Sequence, residues 1–170
     1  TGVEAGAFIN PIDNDELSFI QAFFVPSIYM NSDTIGVIED NYGMSITTVM
    51  TKPKSRGYIK LKSANYKDPP EIELNLLNHK DDLKMMMAGQ RFFLKALQNG
   101  PLSNKVKKII IPDTENLTDE KLEQHCKRFV RTNYHPSGTA KMGADNDKMS
   151  VLDSKLKVRG IDNLRVCDLS

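Results

Sequence analysis

The chain has 170 residues, enough to bury a core of its own. Its 23 Lys and Arg stand against 22 Asp and Glu, and a net charge of +1 argues against the concentrated basic field that nucleic acid or an anionic membrane requires. No apolar run approaches the ~18–20 residues that span a bilayer, and no basic stretch followed by an apolar core near Thr1 marks an export signal.

In chain order, strand signals come first. Ala22 to Met30 is apolar and aromatic, Met44 to Thr51 is β-branched, and Tyr58 to Ser63 alternates Ile59 and Leu61 with Lys60 and Lys62, whose charges should face water. The turn cluster Asp68-Pro69-Pro70 precedes Glu71 to Leu77, where Ile72, Leu74 and Leu76 share one face. Asp81-Asp82 then opens a helix whose apolar face is Leu83, Met86, Met87, Gln90, Leu94 and Leu97, and Gly100-Pro101 stops it. Val106 to Ile111 reads as a further strand. A second helix runs from about Thr118 to Val130: Thr118 caps it, Leu117 and Leu122 have staple spacing, and Asp119 and Glu120 occupy its first turn. Leu156 to Val158 and Leu164 to Val166 read as two short strands around the turn Gly160-Ile161-Asp162-Asn163. Together these predict an α+β fold, an antiparallel sheet covered by helices on one face.

Few residues stand out chemically. Cys126 and Cys167 form no disulfide framework, and Cys126 reads as a small buried hydrophobe. His79 and His125 read as surface or packing histidines, and no set of residues has metal-ligand spacing. Met85-Met86-Met87 reads as helix packing, and Phe23, Phe24, Tyr29, Phe92 and Phe93 fill a core before they line a pocket. The exception is Tyr134-His135-Pro136-Ser137-Gly138-Thr139-Ala140-Lys141-Met142-Gly143. Proline and two glycines this close suit a loop whose backbone geometry matters, and His135 places an acid–base group on it. A loop histidine capping a carbonyl, and a tight turn at Gly138-Thr139, would account for the same residues without chemistry.

That segment resembles the His-Pro-x-Gly-Thr-x-x-Met-Gly signature of the glucose-methanol-choline family of flavin oxidoreductases. Two further stretches match in order. Ser55-Arg56-Gly57-Tyr58-Ile59-Lys60-Leu61 is similar to the strand that opens the family's C-terminal region. Val151 to Gly160, followed by Asn163-Leu164-Arg165-Val166-Cys167-Asp168, is similar to its Val-Asp-x-x-Leu-x-Val-x-Gly and Leu-Arg-Val-x-Asp-Ala-Ser segments. The first fifty residues match only loosely. Lys141-Met142-Gly143 and Lys157-Val158-Arg159-Gly160 resemble insect-like members of the family and favour a sugar dehydrogenase among them.

The resemblance implies residues 1–133 as a substrate-binding domain, partial at its N-terminus, and 134–170 as the catalytic loop and a return segment into the parent's FAD-binding domain. It implies FAD as cofactor, held largely by an N-terminal domain lying outside this chain, because no Gly-x-Gly-x-x-Gly fingerprint is present. It implies that His135 takes the hydroxyl proton while flavin takes the hydride, a task suited to a side chain with an unperturbed pKa of about 6.5. Pro136, Gly138, Thr139, Asp168 and Leu169 are the implied cofactor contacts, Leu169 standing where the family has Ala. The family's second active-site residue, a His or Asn, would follow Ser170. The expected function is therefore the C-terminal fragment of an FAD-dependent enzyme oxidising a sugar, an ecdysteroid or a small alcohol such as choline, the fragment alone being inactive. The alternative is a non-catalytic module of the same descent that binds an apolar ligand or a partner protein. Asn116-Leu117-Thr118 has the form of a glycosylation sequon, in keeping with a secreted parent, although Thr118 is also the helix cap.

Overall fold

The computed structural model describes residues 2–13, 17–29 and 42–170. Among these the chain forms β1 (Ala5–Ile9), β2 (Ile20–Val25), β3 (Ser45–Met50), β4 (Tyr58–Lys60), β5 (Glu71–Glu73), α1 (Lys80–Asn99) and α2 (Asp119–Phe129). They divide into two compact units, one of Thr1–Ser55 and Leu77–Val130, the other of Arg56–Leu76 and Arg131–Ser170.

The first unit is the antiparallel sheet with helices on one face that the sequence predicts. Its strand order is β1-β2-β3, with Ala5 opposite Phe24 and Ile20 opposite Met50. The central strand β2 starts two residues before the predicted run and stops at Val25, ahead of Pro26, and Met30 lies outside the described residues. Ile20 and Ala22, two apart and so on one face, are fully buried and pack with Phe93 of α1. Phe24 meets Phe93 edge to face at 5.8 Å. A Cβ on Gly89 would come within 3.2 Å of the Ile20 side chain, so glycine at this point lets the helix lie close on the strand.

On its other flank α1 supplies Met86 to a second cluster with Leu77, Leu122 and Cys126, around which Leu83, Met87, Leu117 and Val130 pack. A helix lying between a sheet and another helix needs a wider apolar arc than one face. The predicted stripe is therefore present and is extended through Gly89 and Phe93. Of the aromatics expected inside, Phe24 and Phe93 join the core cluster, whereas Tyr29 and Phe92 are exposed.

The helix caps follow local chemistry. Thr118 Oγ1 accepts from the Lys121 N–H at 3.3 Å, and Leu117 packs with Leu122 as its staple. At α1 the cap is His79, whose Nδ1 accepts from the Asp81 N–H at 3.2 Å, a capping role that its sequence context did not indicate. Asp82 is buried and receives Lys54 N–H at 2.9 Å and Ser55 N–H and Oγ at 2.7 and 2.5 Å. Burial opposes its ionisation, but these hydrogen bonds, first that of the Ser55 hydroxyl, outweigh it and hold the carboxyl below its ordinary range.

Three expectations are corrected. Val106 to Ile111 forms no strand: the segment has no ladder partners among the described residues, and Ile109, Ile110 and Ile111 are half-buried instead. β-branched residues favour a pleated surface but need a neighbouring strand to make one. Leu156 to Val158 and Leu164 to Val166 make isolated bridges, Leu152 to Val158 and Lys157 to Arg165, in place of two strands. Finally, β4 and β5 pair as Ile59 opposite Ile72, but neither is half-buried as alternation implied, for Ile59 is 51% and Ile72 58% exposed. A two-stranded ribbon has no second layer to bury its apolar face. Its opposite face is closed by the Tyr58 hydroxyl donating to Glu71 at 2.5 Å and by Lys60 Nζ lying 4.0 Å over the Tyr58 ring.

Candidate active site

After α2 the chain enters the second unit at Arg131. Asn133 (φ 53°) and Tyr134 (φ 60°) are both left-handed, an arrangement that Asn tolerates and Tyr resists, and the turn is secured by Thr132. The Thr132 Oγ1 accepts from the Tyr134 N–H at 3.0 Å and its carbonyl from the His135 N–H at 3.3 Å. His135 leaves this turn exposed, with Pro136 fixing the backbone that follows it.

Gly138 has φ 89°, and a Cβ built on it would meet nothing within 4 Å. Glycine is thus required by conformation, and the space beside it is open. The Gly138 N–H donates to the Leu169 carbonyl at 3.0 Å, and the Ala140 N–H donates to the Ser170 carbonyl. These bonds lay residues 138–140 against residues 169–170 at the end of the Asp168 turn. Asp168 accepts from the Ser170 hydroxyl and, at 2.7 Å, from the Ser170 N–H, and these bonds hold its carboxyl below the ordinary range. Sequence places the two ends of this segment far apart; tertiary structure joins them.

His135, Pro136, Gly138, Thr139, Asp168 and Leu169 are all exposed, with Leu169 69% so. Of these, Gly138 and Leu169 are joined directly by a backbone hydrogen bond, and the space beside Gly138 is open. The backbone carries no Cβ at Gly138, and Leu169 presents an exposed apolar side chain, features compatible with a flat group lying against this backbone.

The far end of the loop is held by side chains that the motif did not single out. Met142 pairs with Leu152 in a parallel bridge, the Lys141 carbonyl accepts from Val151 and Leu152, and the Gly143 N–H donates to Leu152 at 3.1 Å. Residues 143–150 fold back so tightly that a Cβ on Gly143 would lie 2.7 Å from Ser150 Cβ. Arg159 spans this fold with Nη2 on the Gly143 carbonyl (2.9 Å), Nη1 on Asp145 (2.8 Å) and Nε on the buried Ser150 hydroxyl (3.1 Å). Lys141 Nζ reaches Asp147 at 2.6 Å and holds that carboxyl below its usual range. A single arginine between a valine and a glycine carries no spacing signal, so sequence alone had no means of finding it.

Elsewhere the motif residues have structural duties. Gly57 lets the Glu73 carbonyl approach to where a Cβ would stand, and Asn75 Nδ2 donates to the Arg56 carbonyl at 3.0 Å. Cys126 is buried, which pushes its thiol up to about 11, while Cys167 is exposed.

A family model described as GMC oxidoreductase matches residues 53–170. Among curated proteins the chain is 33% identical over 143 residues to choline oxidase of Arthrobacter globiformis, covering 83% of this chain and 26% of that protein. It is 34% identical over 167 residues to an alcohol dehydrogenase (acceptor) of Pseudomonas putida, covering 98% and 30%. With an oxygen-dependent choline dehydrogenase of Vibrio vulnificus it is 35% identical over the same length, again covering 98% and 30%. The chain therefore spans about a third or less of the length of these relatives. Among solved structures, pyridoxine 4-oxidase from Mesorbium loti superposes with TM-score 0.81 at 20% identity, over 99% of this chain and 33% of that one. An Aspergillus oryzae formate oxidase variant, studied for FAD modification, superposes with TM-score 0.75 at 25% identity over 94% and 28%.

Proposed function

Because the chain belongs to the GMC oxidoreductases, we propose that it is the C-terminal part of an FAD-dependent enzyme that oxidises an alcohol, with His135 as the general base. The observation that carries this reading is the backbone pairing of the loop bearing His135 with residues 169–170 beside a left-handed, uncovered Gly138. Residues 1–133 form the substrate-binding part, and 134–170 are the catalytic loop and return segment.

Oxidation of a carbinol removes a proton from oxygen and a hydride from carbon. His135 accepts the proton at an imidazole nitrogen, which lets electron density on oxygen form the carbonyl as the hydride departs. FAD, when bound, supplies the hydride acceptor. Pro136, Gly138 and Thr139 would hold it from the loop side and Asp168 and Leu169 from the tail, the rigid Pro136 and the Gly138 turn keeping His135 in a fixed relation to these residues. Exclusion of water falls to whatever packs on the exposed Leu169.

The names of the curated relatives, choline and alcohol enzymes, support an alcohol substrate. Sugars, ecdysteroids and choline are the classes to compare. The test is the visible spectrum of the purified full-length protein, before and after anaerobic addition of glucose, an ecdysteroid or choline. Bleaching of a flavin band by one class supports the reading and identifies the substrate. A folded full-length protein without flavin overturns it in favour of a non-catalytic binding module.

A further inference from the structure

We propose that Arg159 is a positioning residue for the His135 loop, an inference that rests on the reading of His135 as the base. Its guanidinium uses its three nitrogens on three different points of the 143–150 fold, the Gly143 carbonyl, Asp145 and Ser150. Gly143 is the last residue of the motif that begins at Tyr134. Fixing its carbonyl therefore fixes the end of the loop opposite His135.

These contacts carry unequal weight. Asp145 is 95% exposed, so its ion pair with Arg159 is screened and contributes little. Ser150 is buried, and its Oγ also donates to the Asp147 carbonyl at 2.8 Å, so Arg159 Nε completes a polar group that has left water. The Gly143 carbonyl lies at the end of a fold that admits no side chain at its own position, and Arg159 Nη2 donates to it.

The main chain of Arg159 reinforces this. Its N–H donates to the Val151 carbonyl at 2.9 Å, and the Val151 N–H donates to the Lys141 carbonyl at 2.8 Å. One residue thus grips the loop from its side chain at Gly143 and, through Val151, at Lys141. Lysine has charge but no fork, and it cannot reach Gly143, Asp145 and Ser150 together. A loop gripped at 138, 140, 141 and 143 holds its histidine in one place, and proton transfer is steep in placement: a displacement of about 1 Å can cost ~10²-fold in rate.

The test uses the full-length protein with Arg159→Gln, Arg159→Lys and the milder Ser150→Ala. Two readouts are taken: amide hydrogen exchange, and flavin reduction by the alcohol per bound flavin. Both Arg159 variants should exchange about tenfold or more faster across residues 138–143, with exchange in α1 unchanged. Their rate per bound flavin should fall by ~10- to 10²-fold while KM stays nearly constant. Ser150→Ala should shift both readouts the same way by less, and it decides the matter if the Arg159 variants do not fold. Unchanged exchange across 138–143 overturns the proposal, and so does faster exchange with an unchanged rate per flavin, which marks a purely structural contact. Full rescue by lysine overturns the fork geometry. A wild-type protein without flavin defeats the reading of His135 as base, while the exchange measurement still decides whether Arg159 holds the loop.

Discussion

The unit of residues 1–55 and 77–130 and the unit of 56–76 and 131–170 are built on different interactions. In the first, Ile20, Ala22, Met86, Phe93, Leu94, Leu122 and Cys126 are buried between sheet and helices. In the second, Leu152 is the sole buried apolar side chain among the described residues, and order comes from turns and polar clamps. Asn75, Asn133, Tyr134, Leu156, Asn163, Gly138 and Gly160 all take positive φ there. Asp153, for example, accepts from the Lys155 and Lys157 N–H groups at 2.8 and 2.9 Å. A fully buried Leu or Phe contributes about 1.5–3 kcal/mol, whereas an intramolecular hydrogen bond contributes a net of about 0.5–1.5 kcal/mol. The first unit is built for stability, and the second holds a backbone path in which side chains are left exposed.

That contrast can be broken experimentally. The largest effect expected is in the second unit and on chemistry: His135→Ala in the full-length enzyme should lower alcohol-dependent flavin reduction by at least ~10²-fold with the thermal midpoint unchanged. A drop in midpoint with activity retained would reverse the roles assigned to the two units. In the first unit, Leu122→Ala should cost about 2–5 kcal/mol, because Leu122 is fully buried in the cluster that joins α1 and α2. Each unit carries one cysteine, so thiol labelling follows them separately. Leu122→Ala should speed labelling of the buried Cys126 and leave the exposed Cys167 at its wild-type rate.

Asp82 is a polar exception inside the apolar unit, and Asp82→Asn should cost about 1–3 kcal/mol by leaving the Lys54 and Ser55 donors badly matched. The sign of its pH dependence follows from its depressed carboxyl. Its stabilisation is complete above the unfolded value of about 3.9 and is lost as pH falls through the lower folded value. Acid titration of the unfolding midpoint should therefore show a loss below about pH 4 that is smaller in Asp82→Asn. The smallest effect expected is that of Thr118→Ala, about 1 kcal/mol for a lost helix cap, read as a modest rise in Cys126 labelling.

Both helices were legible in the sequence because their stop and start signals are local: Gly100-Pro101 ends α1, and Thr118 with Leu117 and Leu122 begins α2. The sheet was legible in its β2 and β3 strands. β1 was not, since Ala5-Gly6-Ala7 has little β-propensity and becomes a strand through its pairing with β2. The opposite error at Val106–Ile111 has the same cause, strong propensity with no partner. Asp82 as a buried acceptor was hidden because the donors it serves, at Lys54 and Ser55, lie far away in sequence, and His79 as a cap of the Asp81 N–H was hidden because histidine lies outside the usual capping residues.

At the candidate site the sequence by itself determined the residue types, a histidine, a proline and a left-handed glycine on one loop, because these requirements are local to the backbone. It also determined the family, through three ordered motifs. Only tertiary structure decided that residues 138–140 lie along 169–170 and that Arg159 closes the fold after Gly143. Those contacts join atoms distant along the chain, and backbone carbonyls, identical in every residue, leave no trace in sequence of which donor will reach them.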